Sequence, residues 1–215
     1  MEFTAVVPVR EGSQRVQNKN FKKFAGKSLL EHKINVIQQL PVEDIIINTD
    51  SEYAISLAKK LGIGYHKREE YYASSKCTNS EYHEYLAKST DAENIIIAQV
   101  TAPLIIKKTF LECMNIFSKS NHNSLMTVQL IKEFLWFKDK PINYKLGSAP
   151  NSQDLPEYFF PTFGIVICNR TAMMKAKNFI CSKPYFYEIS DIEAIDIDTE
   201  IDFEFAEFMY KKYRL

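Results

Sequence analysis

The sequence predicts a three-layer α/β fold around a mostly parallel sheet, because β-branched runs alternate with helical stripes from the start of the chain. Residues 4–9, 44–48 and 94–99 are largely apolar runs, as expected of strands covered on both faces. Between them, Leu30, Ile34, Ile37 and Leu40 fall on one helical face. Ala54, Ala58 and Leu61 make a second face, which Gly62 ends. Tyr82, Tyr85 and Leu86 suggest a third helix, and Phe110, Leu111, Met114 and Phe117 a fourth. The alternation implies right-handed crossovers between parallel strands.

The pattern changes after residue 124. Residues 124–130, 134–137 and 142–145 read as short strands, with Lys140-Pro141 and residues 147–151 as turns. Residues 159–168 read as another strand and 192–198 as the last. A final helix is expected from Thr199 as N-cap, with Asp202 in its first turn and Ile201, Phe205, Phe208 and Met209 as its buried face.

With 215 residues and 46% apolar content, a single domain over 1–215 can bury a full core. Lysine plus arginine equals aspartate plus glutamate, 27 each, which argues against a general nucleic-acid binder. No apolar run approaches membrane-spanning length and no basic-then-apolar leader follows Met1, so a cytoplasmic chain without a membrane partner is expected. Cys77, Cys113, Cys168 and Cys181 form no CxxC pair and read as buried reduced thiols.

Charge is strongly segregated within this neutral chain. Six bases and one acid lie between Arg10 and Lys27, directly after the first strand. A polyanion suits such a segment, although a solvated basic surface at a helix start would show the same charge. Arg10 offers a planar fork for two phosphate oxygens. Gly12 and Ser13 let backbone approach a ligand and supply donors. Lys19 and Asn20 close the loop. The Walker ending and the dinucleotide glycine fingerprint are both absent. At the other end, residues 191–207 hold eight acids and no base. On a strand, Asp196 and Asp198 would share one face about 7 Å apart. Two such carboxylates with phosphate oxygens make a magnesium site. Asp50 could face a ligand or cap the next helix, and Arg68 alone would be a surface base. Gln99 would face the ligand crevice beyond the third strand.

Taken together, these segments resemble the acylneuraminate cytidylyltransferase family, the CMP-sialic acid synthetase type, over nearly the whole chain. The matching stretches are Val9-Arg10-Glu11-Gly12-Ser13, Lys19-Asn20, Gly26-Lys27-Ser28-Leu29-Leu30 and Asn48-Thr49-Asp50, followed by Arg68 with the small residues 73–80. Residues 99–104 match a Q-P-T-S-P-L motif, and 196–202 match D-I-D-T-E-x-D in full. The resemblance implies a nucleotide-binding fold and transfer of CMP from CTP to an acidic sugar, with release of pyrophosphate. It implies catalytic roles for Arg10 and Lys19. Gly12, Ser13, Arg15, Asn20, Arg68 and Ser80 would bind nucleotide, and Gln99 and Phe179 the sugar. Asp196 and Asp198 would hold Mg²⁺. A homodimer through an excursion at about 130–160 is also implied.

The chain departs from that pattern on two sides. Gln14 replaces a loop lysine, with Arg15 beside it to supply charge. Trp136 and Ser152 stand where the family's sugar pocket has a lysine and an arginine, and residues 162–167 replace P-N-G-A-I-Y. An intact nucleotide half and an altered acceptor half are therefore expected. The acceptor could be sialic acid, a relative of it, another deoxy-ulosonic acid or a phosphorylated compound. A non-catalytic nucleotide-binding paralogue and a glycosyltransferase are the competing readings.

Overall fold

The computed structural model of the chain describes residues 1–13 and 15–213; Gln14 lies outside the described residues. In chain order the elements are β1 (Thr4–Val9), β2 (Lys23–Phe24), β3 (Lys27–Ser28), α1 (Leu29–Ile37), β4 (Asp44–Thr49), α2 (Glu52–Leu61), β5 (Gly64–Lys67), α3 (Glu70–Ala73) and α4 (Asn79–Lys88). There follow β6 (Asn94–Ala98), α5 (Lys107–Lys119), β7 (Ser124–Ile131), β8 (Trp136–Phe137), β9 (Lys140–Pro141), β10 (Tyr158–Asn169), α6 (Arg170–Ala176), β11 (Pro184–Glu188) and α7 (Glu200–Tyr213).

Seven strands form one sheet in the order β11-β7-β10-β6-β1-β4-β5. β1 pairs in parallel with β4 and with β6, and only β10 runs against its neighbours. All of β1 is buried, because both of its faces are covered. Ala5, Val7 and Val9 pack toward α1, α2, α5 and α7. Val6 points the other way, into a second cluster with Leu86 of α4 and Met173 of α6. The result is the expected three-layer, mostly parallel α/β fold.

Local chemistry sets the helix ends. Ser28 and Glu31 form a reciprocal capping box at α1, a device that contributes about 1 kcal/mol. Gly62 ends α2 at φ 67°, a left-handed conformation that a Cβ would strain. Thr199 and Asp202 cap α7 as expected: the Asp202 carboxylate accepts from the Thr199 N–H at 2.7 Å and from its hydroxyl at 2.8 Å.

Four expectations are corrected. Residues 192–198 are not a strand but a turn followed by extended chain. Their backbone is committed elsewhere, with the Ile197 N–H on the Thr101 carbonyl at 2.9 Å, while β11 occupies the sheet edge beside β7. Lys140-Pro141 is not a turn. It pairs with Trp136-Phe137, and the chain reverses at Lys138, whose φ is 55°. Residues 142–145 are bends rather than a strand. Finally, α7 buries the opposite face from the expected one. Ile201, Phe205 and Phe208 are exposed, and Phe203, Ala206 and Tyr210 pack inward. The true stripe includes Glu207, whose carboxylate accepts the Ala25 N–H at 2.7 Å and so ties the helix to the β2–β3 hairpin. A charged residue on the inner face hid the stripe. Phe24 fixes its phase through edge-on contacts with Phe203 and Tyr210.

β10 carries a bulge between Pro161 and Val166. There Phe163 adopts φ 55°, a rare conformation for a bulky residue. Gly164 follows at a close approach: a Cβ there would overlap Ile105 Cδ1, which would have to turn away, and would lie 3.0 Å from Ala102 Cβ. The close approach sets the loop after β6 against β10, with the Gln99 N–H donating to the Gly164 carbonyl at 3.2 Å. Among the described residues no helix is long and apolar enough to cross a membrane. Cys113, Cys168 and Cys181 are buried as expected, and Cys77 is half-buried.

Candidate active site

The sheet order reverses at β1: β4 and β5 lie on one side of it and β6 on the other. Chain segments leaving the C-terminal ends of β1 and β6 therefore diverge, and such a divergence opens a crevice. A cavity of about 240 Å³ lies there, walled by Pro8, Arg10, Ser13, Arg15, Lys19 and Asn20 from the first loop, Arg68 and Tyr82 from across β4, and Gln99, Val100 and Thr101 beyond β6.

The first loop is braced at several points. The Asp50 Oδ1 accepts the Glu11 N–H at 2.9 Å, so Asp50 braces this loop rather than capping α2. Gly12 takes φ 75° to make the bend and is itself off the cavity wall. The Asn20 amide donates to the Arg10 carbonyl at 3.0 Å, and its buried Oδ1 has no hydrogen-bond partner. The Arg10 guanidinium reaches across to the Ala73 carbonyl at 3.2 Å.

Asp196 and Asp198 arrive at this loop from the far end of the chain. Asp198 Oδ1 lies 2.8 Å from Arg15 Nη2 and 3.6 Å from Lys19 Nζ. Lys19 is buried and donates to the Ile197 carbonyl. Burial and the Asp198 charge raise the Asp196 carboxyl above the ordinary range, with Thr101 and Lys19 opposing. A carboxyl whose charge burial and a neighbouring aspartate disfavour makes a site where a cation is welcome. Among the described residues no three His, Cys, Asp or Glu side chains converge. A cation here would complete its shell with ligand oxygens and water.

Arg68 is buried rather than a surface base. Its Nε and Nη2 donate to the Asn48 side-chain and backbone oxygens at 2.8 and 2.9 Å, and its guanidinium lies 4.7 Å from the Tyr82 ring centre. Burial pushes the Tyr82 phenol up to about 12. In the sequence Tyr82 looks like an ordinary core position of its helix, and only the neighbouring arginine betrays its place on the cavity wall. Five expected residues are off the cavity wall: Gly12, Asp196 and Asp198, the last of which touches the lining residues Arg15 and Lys19, and two that stand farther apart, Ser80 and Phe179. Ser80 is exposed in the first turn of α4. Phe179 is buried and stacked on His83, 3.6 Å between ring centres.

Known proteins resemble this chain in sequence and in fold. A family model described as cytidylyltransferase matches residues 4–146. An N-acylneuraminate cytidylyltransferase of Streptococcus agalactiae serotype III (strain NEM316) is 25% identical over 214 residues, covering 94% of this chain and 52% of that protein. The chain thus spans about half the length of that relative. A CMP-N,N'-diacetyllegionaminic acid synthase of Legionella pneumophila is 24% identical, covering 96% of this chain and 95% of that one. In fold, the chain is similar to a CMP:2-keto-3-deoxy-manno-octonic acid synthetase solved with CTP, at TM-score 0.71 and 13% identity, over 99% of this chain and 100% of that chain. The family model covers well over half of the sequence, and the chain belongs to the cytidylyltransferase family.

Proposed function

We propose that this chain transfers CMP from CTP to an acidic sugar and releases pyrophosphate. The observation that carries the reading is the contact of Asp198 with Arg15 and Lys19, two bases of the first loop that wall the cavity. In this reaction an acceptor hydroxyl attacks the α-phosphorus, the new P–O bond forms and the bond to the pyrophosphate oxygen breaks. Such chemistry needs positioning and charge stabilisation rather than a nucleophilic side chain. Arg10 and Arg15 bind the phosphates, with Gly12 and Ser13 allowing close backbone approach. Lys19 stabilises charge on the departing pyrophosphate. Asn20 and Arg68 serve the nucleoside, and Gln99 the acceptor. Asp196 and Asp198 would hold Mg²⁺, which when bound neutralises phosphate charge and polarises the acceptor oxygen.

A pyrophosphate-release assay with each nucleoside triphosphate and a panel of nonulosonic and other ulosonic acids tests this reading. Release with CTP, one acceptor and Mg²⁺ is the expected result. Nucleotide binding without release across the panel would mark a non-catalytic paralogue. The reaction draws on the cytoplasmic CTP pool, where we place the chain.

The excursion supports a homodimer. Trp136, Phe137, Ile142, Leu146, Phe159 and Phe160 are all exposed within residues 136–160, and exposed apolar side chains that cluster mark an interaction surface. Light scattering is expected to return the mass of two chains, and a strictly monomeric mass at micromolar concentration would remove the interface.

A further inference from the structure

Lys33 is among the largest fully buried side chains of this protein although it carries a cationic group, and the reaction as described makes no use of it. It sits in α1 at 2% exposure. Its Nζ donates to the Ala102 carbonyl at 2.8 Å and lies 5.4 Å from the Phe110 ring centre. No carboxylate lies within ion-pairing distance. Glu193 and Asp196 act on it only from farther away, and burial lowers its ammonium to about 7. A methionine would fill this space at lower cost, since a buried charge without a close partner is expensive.

What Lys33 holds explains the expense. Ala102 follows Thr101, and Thr101 is the hub of the acidic segment: its side chain meets Asp196 and its carbonyl accepts the Ile197 N–H at 2.9 Å. On the opposite side Lys19 grips the Ile197 carbonyl. Two buried lysines thus clamp the 196–198 segment, Lys19 directly and Lys33 through the loop after β6. We propose that Lys33 is a positioning residue that fixes the Thr101 loop and, through it, holds Asp196 in place for a divalent cation. The proposal rests on the transferase reading above.

Lys33→Met and Thr101→Val, singly and together, test it. Mn²⁺ binding is followed by electron paramagnetic resonance with CTP present, beside steady-state kinetics and calorimetric melting. Lys33→Met is expected to melt within a few degrees of the wild-type temperature, since relief of the buried charge offsets the Ala102 carbonyl left without its donor. Its Mn²⁺ affinity and kcat should each fall about 10- to 100-fold, with KM for CTP nearly unchanged. In the Thr101→Val background the same change should add little further loss, because both act on one support. Wild-type Mn²⁺ affinity in Lys33→Met, or losses that multiply in the double variant, would overturn the proposal. Should the methionine variant fail to fold, Lys33→Gln is read against the same outcomes. A wild type that binds Mn²⁺ with CTP but releases no pyrophosphate would sink the transferase reading, and the metal affinities would then decide the role of Lys33.

Discussion

Replacing Asp198 by alanine is expected to lower pyrophosphate release by about a thousandfold, ~4 kcal/mol of transition-state stabilisation. Its carboxylate sits between Arg15 and Lys19, where the cationic loop and the acidic segment join. The fold should survive, because the start of α7 is held by Thr199 and Asp202 rather than by the Asp198 side chain. Removing a negative charge from beside the phosphates should leave CTP binding in EDTA unchanged or tighter. Lost turnover with retained metal-free binding is therefore the signature, read by kinetics and calorimetry. Wild-type rates in Mg²⁺ would remove Asp198 from the metal site.

Lys19→Met should damage both turnover and stability. The ammonium is buried, donates to the Ile197 carbonyl and faces Asp198. Methionine keeps the packing but leaves that carbonyl without its donor, at a cost of about 1–3 kcal/mol. The melting temperature should drop by about 2–4 °C for each kcal/mol lost. Turnover should fall about a hundredfold, as for loss of one preorganised donor. Arg15→Met provides the contrast. Its partner contact is exposed, with 68% of the Arg15 side chain open to solvent, and such pairs contribute about 0–1 kcal/mol. Melting should hardly move. A Lys19→Met enzyme with wild-type kcat would exclude Lys19 from charge stabilisation.

The central strands and their helices were legible because burial on two faces leaves an unmistakable residue pattern. β1, β4 and β6 show it, and so do the stripes of α1 and α2. β5 and β11 escaped notice, since edge strands alternate or carry polar residues: Gly64–Lys67 is largely polar and β11 opens on Pro184. The face of α7 misled for a local reason, a glutamate serving as a hairpin anchor on the inner side. At the site, charge segregation pointed to the first loop and to Asp196 and Asp198. It could not reveal Tyr82, Asp50 or Lys33. Their roles come from neighbours far away in sequence, Arg68, Glu11 and Ala102, which only the folded chain supplies.

The contact from Lys19 to Ile197 joins positions 178 residues apart. During synthesis, a ribosome that has released the first loop, the inner strands and most of the helices still presents a half-built catalyst. The acidic segment must emerge and dock before a triphosphate meets both halves of its binding surface. On the proposed reading, competence to turn over nucleotide is withheld until residues 196–198 have been made and docked against Lys19.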